Sequence, residues 1–293
     1  MAETASPQVG VGVEGPFERD TAVTLQSADG PRRSYEASVA SNWRAGRGPH
    51  GGYLAAMLLR ALSESVDDPA RSPRSLTIHY LKAPQEGPVQ IHTTIERQGR
   101  SLSTLSARME QDGALIALVL SAFSVPWTGP EISEVPLPEV ARSRPPDPVR
   151  KAGTAVKHGA PLFTEHLVLQ PRFAGRPFDG EEHPMEVAAW LGLAEARPLD
   201  APTLAFFSDA MIPAPFMRTA APNPAPTVDL TIHFRVPLPR VSDPDPHELC
   251  FIQVKAGVIH EGFFEEDSVI WATDGTVLAQ SRQLGILISP TVE

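Results

Sequence analysis

The chain has 293 residues, room for one large domain or two of ordinary size, and its 42% apolar content can fill a hydrophobic core. Its 25 Lys and Arg against 35 Asp and Glu leave a net charge of −10, which argues against the basic stripe of a nucleic-acid surface. A single cysteine, Cys250, excludes a disulfide framework and a cysteine-rich metal site.

No apolar run approaches the length of a membrane span, and Met1 to Ser6 carries no basic-then-apolar signal. The chain therefore reads as cytoplasmic, with no membrane partner. Residues before about Gly15 read as frayed. Short strands are expected over 22–26 and 35–40, separated by the turn-like Ala28-Asp29-Gly30-Pro31. The glycine-rich run Gly46 to Gly52 leads into a helix, where Tyr53, Leu54, Met57, Leu58, Ala61, Leu62 and Val66 recur at helical spacing. Asp67-Asp68-Pro69 ends it. Strands follow over 76–81, 89–96, 102–110 and 115–125, the last two joined by the hairpin signal Asp112-Gly113. One helix followed by antiparallel strands is an α+β pattern.

Residues 126–160 are rich in proline and charge and show no periodic apolar face, which predicts a linker crossing the surface. A second unit then runs over 161–293, matching a first unit over 1–125. Its strands are expected over 162–173, 185–196, 228–236, 248–258, 262–273 and 277–288. Its helix is expected over 203–217, shortened or bent by Pro213 and Pro215.

The two-unit reading rests on an internal repeat. Leu76-Thr77-Ile78-His79-Tyr80 recurs as Leu230-Thr231-Ile232-His233-Phe234, 154 residues later. Ala56-Met57 falls on Ala210-Met211 at the same offset, and Asp112-Gly113 falls on Asp274-Gly275 at an offset of 162. His79 and His233, being repeated, belong to the shared fold. Gly46-x-Gly48-x-x-Gly51 formally matches a dinucleotide fingerprint, but that motif needs a parallel βαβ unit, and antiparallel strands follow here.

The residues His50-Gly51-Gly52, Ser208-Asp209, Thr227-Val228-Asp229 and the run Gly275 to Gly285 give the chain a family likeness. It resembles the type II acyl-CoA thioesterases, which are double hotdog proteins: two fused units, each an antiparallel sheet wrapped around a helix. The resemblance implies hydrolysis of an acyl-CoA thioester, a homo-oligomeric assembly (dimer or higher) and no cofactor beyond the CoA of the substrate. It also implies an Asp, a Thr and a Gln that hold the attacking water, and by motif these fall on Asp209, Thr227 and Gln283. In that reading Asp209 is the general base. The backbone N–H groups of Gly51 and Gly52, at a helix N-terminus, polarise the thioester carbonyl, and His50 lines the mouth of the pocket or packs beside the glycine turn. The bland alternative for Asp209 is a helix cap.

The repeat adds that the site is single. Asp209, Thr227 and Gln283 map back onto Ala55, Pro73 and Ser121, and His50-Gly51-Gly52 maps forward onto Leu204-Ala205-Phe206. One composite site is expected, with the water-holding trio from the second unit and the glycine turn from the first. There is no Gly-x-Ser-x-Gly elbow for a covalent nucleophile, and the histidines have no ligand-like spacing, so no metal is expected. A non-catalytic acyl-binding double hotdog and a hotdog enoyl-CoA hydratase are the competing functions. The hydratase requires an Asp and a His paired close together on a hydratase segment, and the sequence shows no such hydratase segment.

Overall fold

The computed structural model describes residues 15–147, 160–240 and 244–288. The frayed segment expected before Gly15 and residues 148–159 of the expected linker lie outside them. The first half contains α1 (Pro16–Thr21), β1 (Thr24–Asp29), β2 (Arg32–Val39), a ribbon of β3 (Arg44–Ala45) and β4 (Gly48–Pro49), and α2 (Gly51–Val66). Strands β5 (Ser72–Tyr80), β6 (Gly87–Gln98), β7 (Leu102–Gln111) and β8 (Ala114–Ser124) follow. After α3 (Glu139–Ser143) come β9 (Leu167–Pro171), β10 (Glu186–Leu193), α4 (Ala201–Phe207), β11 (Thr227–Phe234), β12 (Cys250–Lys255), β13 (Ile259–His260), β14 (Phe263–Trp271) and β15 (Val277–Ile286).

All strands but the β3–β4 ribbon join one antiparallel sheet, ordered β1-β2-β6-β7-β8-β5-β11-β15-β14-β12-β10-β9, with β13 on β14. The expected α+β double hotdog is what the sheet builds: two half-sheets, each over its own helix, meeting at β5 and β11. That seam is made by the repeat itself. Leu230 lies opposite Ile78, Thr231 opposite Thr77 and Ile232 opposite Leu76. The Thr231 hydroxyl donates to that of Thr77 at 3.2 Å, 154 residues away, so a local two-fold axis passes through this pair. Leu76, Ile78, Leu230 and Ile232 are fully buried, while His79 and His233 point outward, as period-two alternation requires.

The register supports the repeat arithmetic strand by strand. Leu76 pairs with Ser121 and Leu230 with Gln283. A bulge follows Pro73 in β5 and another follows Thr227 in β11. Ser121 and Pro73 are therefore the true counterparts of Gln283 and Thr227. In the helices the offset changes. The N-caps His50 and Asp200 stand 150 residues apart, so the mapping of Asp209 onto Ala55 shifts by one helical turn, to Leu59. Neither residue is a carboxylate.

Helix α2 is buried on nearly every side; Leu54, Met57, Leu58, Leu59 and Leu62 are each 3% exposed or less. A helix apolar all round belongs in an enclosed core, and each such side chain contributes about 1.5–3 kcal/mol by leaving water. The sheet covers one side and α4 the other. Its C-cap, Asp67, takes the left-handed conformation at φ 50°, which Asp tolerates better than most residues. The hairpin after β7 turns through Asp112 at φ 50° and Gly113 at φ 75°, the double positive φ of a type I′ turn.

Three expectations are corrected. The second helix ends at Phe207 instead of running to 217, and Ala214–Arg218 forms a separate 3-10 turn. Pro213 and Pro215 supply no N–H to continue the α-helical ladder. Leu162–His166, expected as strand, is 3-10 helix, and β9 begins only at Leu167. The expected linker is more than a surface crossing. It buries Leu137 and Ala141 against Trp190, Phe251 and Trp271, and the Trp271 indole donates to the Val135 carbonyl at 3.1 Å. Helix α1 went unpredicted; at six residues it is too short for a periodic signal.

Candidate active site

Helix α4 starts at Asp200, whose carboxylate accepts from the Thr203 N–H at 2.8 Å and caps it. The chain leaves the helix through Ser208, and Asp209 stands in the turn that follows, with its N–H on the Phe206 carbonyl at 3.3 Å. From there its side chain reaches the first half. Asp209 Oδ2 accepts from the Gly52 N–H at 2.8 Å, and the Gly51 N–H and the Thr227 hydroxyl also favour its charged form. Asp209 thus does cap a helix, as the bland alternative held, but the helix is α2 of the other half. Its side chain is 12% exposed. Burial pushes its pKa up, and His50, the two N–H groups and Thr227 pull back.

His50 is the N-cap of α2. Its Nδ1 accepts from the Tyr53 N–H at 3.3 Å and its Nε2 donates to the Asp209 backbone carbonyl at 2.8 Å. That pair of bonds fixes a neutral tautomer, in keeping with burial, which lowers its pKa against the pull of Asp209. The ring is 3% exposed, so His50 packs beside the glycine turn and does not line a pocket mouth. Tyr80, at the end of the repeat motif, donates its hydroxyl to the Gly51 carbonyl at 2.9 Å.

The two glycines are required by the second half. A Cβ on Gly52 would lie 2.4 Å from the Phe206 carbonyl oxygen, and one on Gly51 would lie 2.8 Å from Asp209 Oδ2. The sequence expectation gave their N–H groups to a substrate carbonyl. In the structure the Gly52 N–H is taken by Asp209.

Gln283, on β15, and Asp209 both line a cavity of about 10 Å³, together with Ser208, Met211, Val254, Glu266, Ser268 and Ser281. A space of that size holds about one water. Gln283 Nε2 donates to Glu266 Oε2, and Gln283 Oε1 is buried with no partner. Glu266, directly opposite on β14, is 3% exposed. Burial, with the nearby Asp209 charge, raises its pKa to about 7, against hydrogen bonds from the Ala214 N–H and Gln283.

The structure therefore brings all six expected residues into one place. His50, Gly51 and Gly52 come from the first half, and Asp209, Thr227 and Gln283 from the second. Thr227 meets Asp209 and does not line the cavity. Sequence reasoning missed Tyr80 and Glu266. The signal for Tyr80 was its hydroxyl where the repeat has Phe234. The signal for Glu266 was an inward parity shared with Phe264 and Ile270.

The acyl-CoA thioesterase N-terminal domain family matches residues 39–125, and the acyl-CoA thioesterase C-terminal domain family matches residues 140–287. An uncharacterised protein of Mycobacterium tuberculosis is 26% identical over an alignment of 280 positions that covers 87% of this chain and 91% of that one. A solved hotdog-fold protein of Alicyclobacillus acidocaldarius superposes with a TM-score of 0.79 at 24% identity, over 95% of this chain and 100% of that chain. Acyl-CoA thioesterase II of Mycobacterium marinum does so with a TM-score of 0.71 at 18% identity, over 94% and 100%; likeness at that identity speaks for the fold. Among the described residues no helix is long and apolar enough to cross a membrane. Both family domains match in order, one on each side of the Thr77–Thr231 seam, and the protein belongs to the acyl-CoA thioesterase family, a thioester hydrolase.

Proposed function

We propose that this chain hydrolyses an acyl-CoA thioester to the free acid and CoA by general-base activation of water at Asp209. One observation carries the reading: Asp209, a largely enclosed carboxylate, and Gln283, whose amide oxygen Oε1 has no partner, line the same space, which is about the size of one water. A water there gives one proton to Asp209 and directs the other at Gln283, leaving a lone pair for the thioester carbon. Desolvation makes Asp209 a stronger base than an exposed aspartate. Thr227 and the α2 N–H groups hold it in place. In this reading the Gly52 N–H serves the base, and the field of the α2 N-terminus stabilises the developing oxyanion. The reaction uses no cofactor.

The hydratase alternative gains one fact, since His50 Nε2 lies 3.6 Å from Asp209 Oδ2. Both ring nitrogens of His50 are already engaged and the ring is buried, so it has no free nitrogen for proton transfer. The test is purified protein on acyl-CoAs of several lengths with a free-thiol readout. Thiol release is expected; its absence on every substrate refutes hydrolysis and favours the non-catalytic binding alternative.

A further inference from the structure

The two halves provide an internal control for every position near the cavity. Leu76 and Leu230 are repeat mates, opposite Ser121 and Gln283. One strand further out, Ser121 lies opposite Leu105 and Gln283 opposite Glu266. Two residues along, Val119 lies opposite Ala107 and Ser281 opposite Ser268. The first half thus builds this patch of its sheet from Leu105, Ala107, Val119 and Ser121. The second half builds it from Glu266, Ser268, Ser281 and Gln283. Leu105 is fully buried and Glu266 is 3% exposed. The fold is satisfied by leucine at this place, and burying a carboxyl there is costly. Glu266 calls for a reason outside the fold.

Its contacts supply one. Glu266 Oε1 accepts the Ala214 N–H, and Oε2 accepts Gln283 Nε2. An ionised carboxylate only accepts, so Gln283 must turn its NH2 toward Glu266. Its carbonyl oxygen then points away from Glu266; that oxygen is buried without a partner, and Gln283 lines the cavity it shares with Asp209. A water that attacks a carbon needs acceptors for both of its hydrogens. Were the amide reversed, its NH2 would face that water and occupy the lone pair needed for attack.

We propose that Glu266 is a positioning residue of this site: ionised, it holds the Gln283 amide with its carbonyl toward the attacking water. The role rests on the hydrolytic reading above. Protonated, the Glu266 hydroxyl donates to the Gln283 carbonyl instead, and the amide turns over. Its pKa, raised to about 7 by burial and by Asp209, puts that change near neutrality. Asp209 is the titrating group that faces it across the cavity. Ser208, Met211, Val254, Ser268 and Ser281 complete the wall and do not titrate.

The test is Glu266→Gln. Its amide oxygen keeps the Ala214 N–H, so its NH2 faces Gln283 and reverses the second amide. Turnover on the best acyl-CoA is expected to fall about 10- to 100-fold, the scale of one hydrogen bond to a charged group, with KM and melting temperature little changed. The exchange variant Glu266→Gln/Gln283→Glu again presents an acceptor to the water and should recover part of the loss. A purely structural carboxylate predicts no recovery. In side-chain-amide-labelled protein, the Gln283 NH2 resonance, assigned by its loss in Gln283→Leu, should titrate near neutral pH and stay flat in Glu266→Gln. Wild-type turnover in Glu266→Gln, or a Gln283 signal indifferent to pH, overturns the positioning role alone. A wild-type chain that releases thiol from no acyl-CoA overturns the hydrolytic reading, and the role with it.

Discussion

Asp209→Asn isolates the base from its structural duties. Asparagine keeps an oxygen for the Gly52 N–H, now 2.8 Å from Oδ2, so the cap of α2 survives. Its NH2 group takes the other carboxylate position, and that group donates where the mechanism needs an acceptor. General-base catalysis contributes about 10²- to 10⁴-fold, which is about 3–5 kcal/mol of transition-state stabilisation at about 1.4 kcal/mol per decade. Turnover should fall by that factor. Stability moves little, because two effects oppose each other. Losing a charge at a helix N-terminus costs about 0.3–1 kcal/mol, and removing a buried carboxylate relieves desolvation. The balance depends on pH with a definite sign. Asp209 holds its proton more tightly in the folded chain than the ordinary value of 3.8, so wild-type stability falls as pH rises from there through the raised folded value. Asparagine has no such slope, and the melting temperature of the variant relative to wild type should rise across that window. Thiol-release kinetics and calorimetry over the acid-to-neutral range measure both effects. Near wild-type turnover in a folded Asp209→Asn protein would remove Asp209 from proton transfer and refute the mechanism.

Gly52→Ala should destabilise by about 1–3 kcal/mol, the usual cost of overpacking a tight contact, because its Cβ meets the Phe206 backbone 2.4 Å away; chemical denaturation measures it, and an unchanged midpoint contradicts the packing. Titration with a non-hydrolysable acyl-CoA analogue should give one tight equivalent per chain, since Pro73 and Ser121 occupy the places of Thr227 and Gln283; two equal sites, both lost in Asp209→Asn, would refute the composite site.

Much of this architecture was legible because the repeat is written in strands that pair with each other. A period of two leaves little freedom. Once Leu76 and Ile78 face inward, Leu230 and Ile232 must too, and the shared Thr pair sets the register. The helices were less legible. Residues 203–217 carry enough apolar side chains for one helix, yet Pro213 and Pro215 divide it, and the offset of 154 does not survive there because loops absorb insertions that strands do not. Among the site residues, Asp209, Thr227 and Gln283 came from the family motif, and the single-site expectation from the repeat. Glu266 was hidden in the acidic run Glu265-Glu266-Asp267, which reads as an exposed strand until pairing shows that the middle carboxyl turns inward. The true partner of the Gly52 N–H was equally out of reach, since it lies 157 residues away across the helix–helix contact.

The seam at Thr77 and Thr231 has a consequence for how such a site can change. Two identical chains meeting at the same axis would carry each substitution twice. A buried glutamate at the place of Leu105 would then burden both halves, including the one with no water to orient. Joining the halves in one polypeptide separates their fates: the first can keep leucine and alanine for rigidity, while the second accumulates costly polar groups around a single water. The peptide link between the halves releases each from having to resemble the other, and the patch that sets Glu266, Ser268, Ser281 and Gln283 against Leu105, Ala107, Val119 and Ser121 is where that licence has been used.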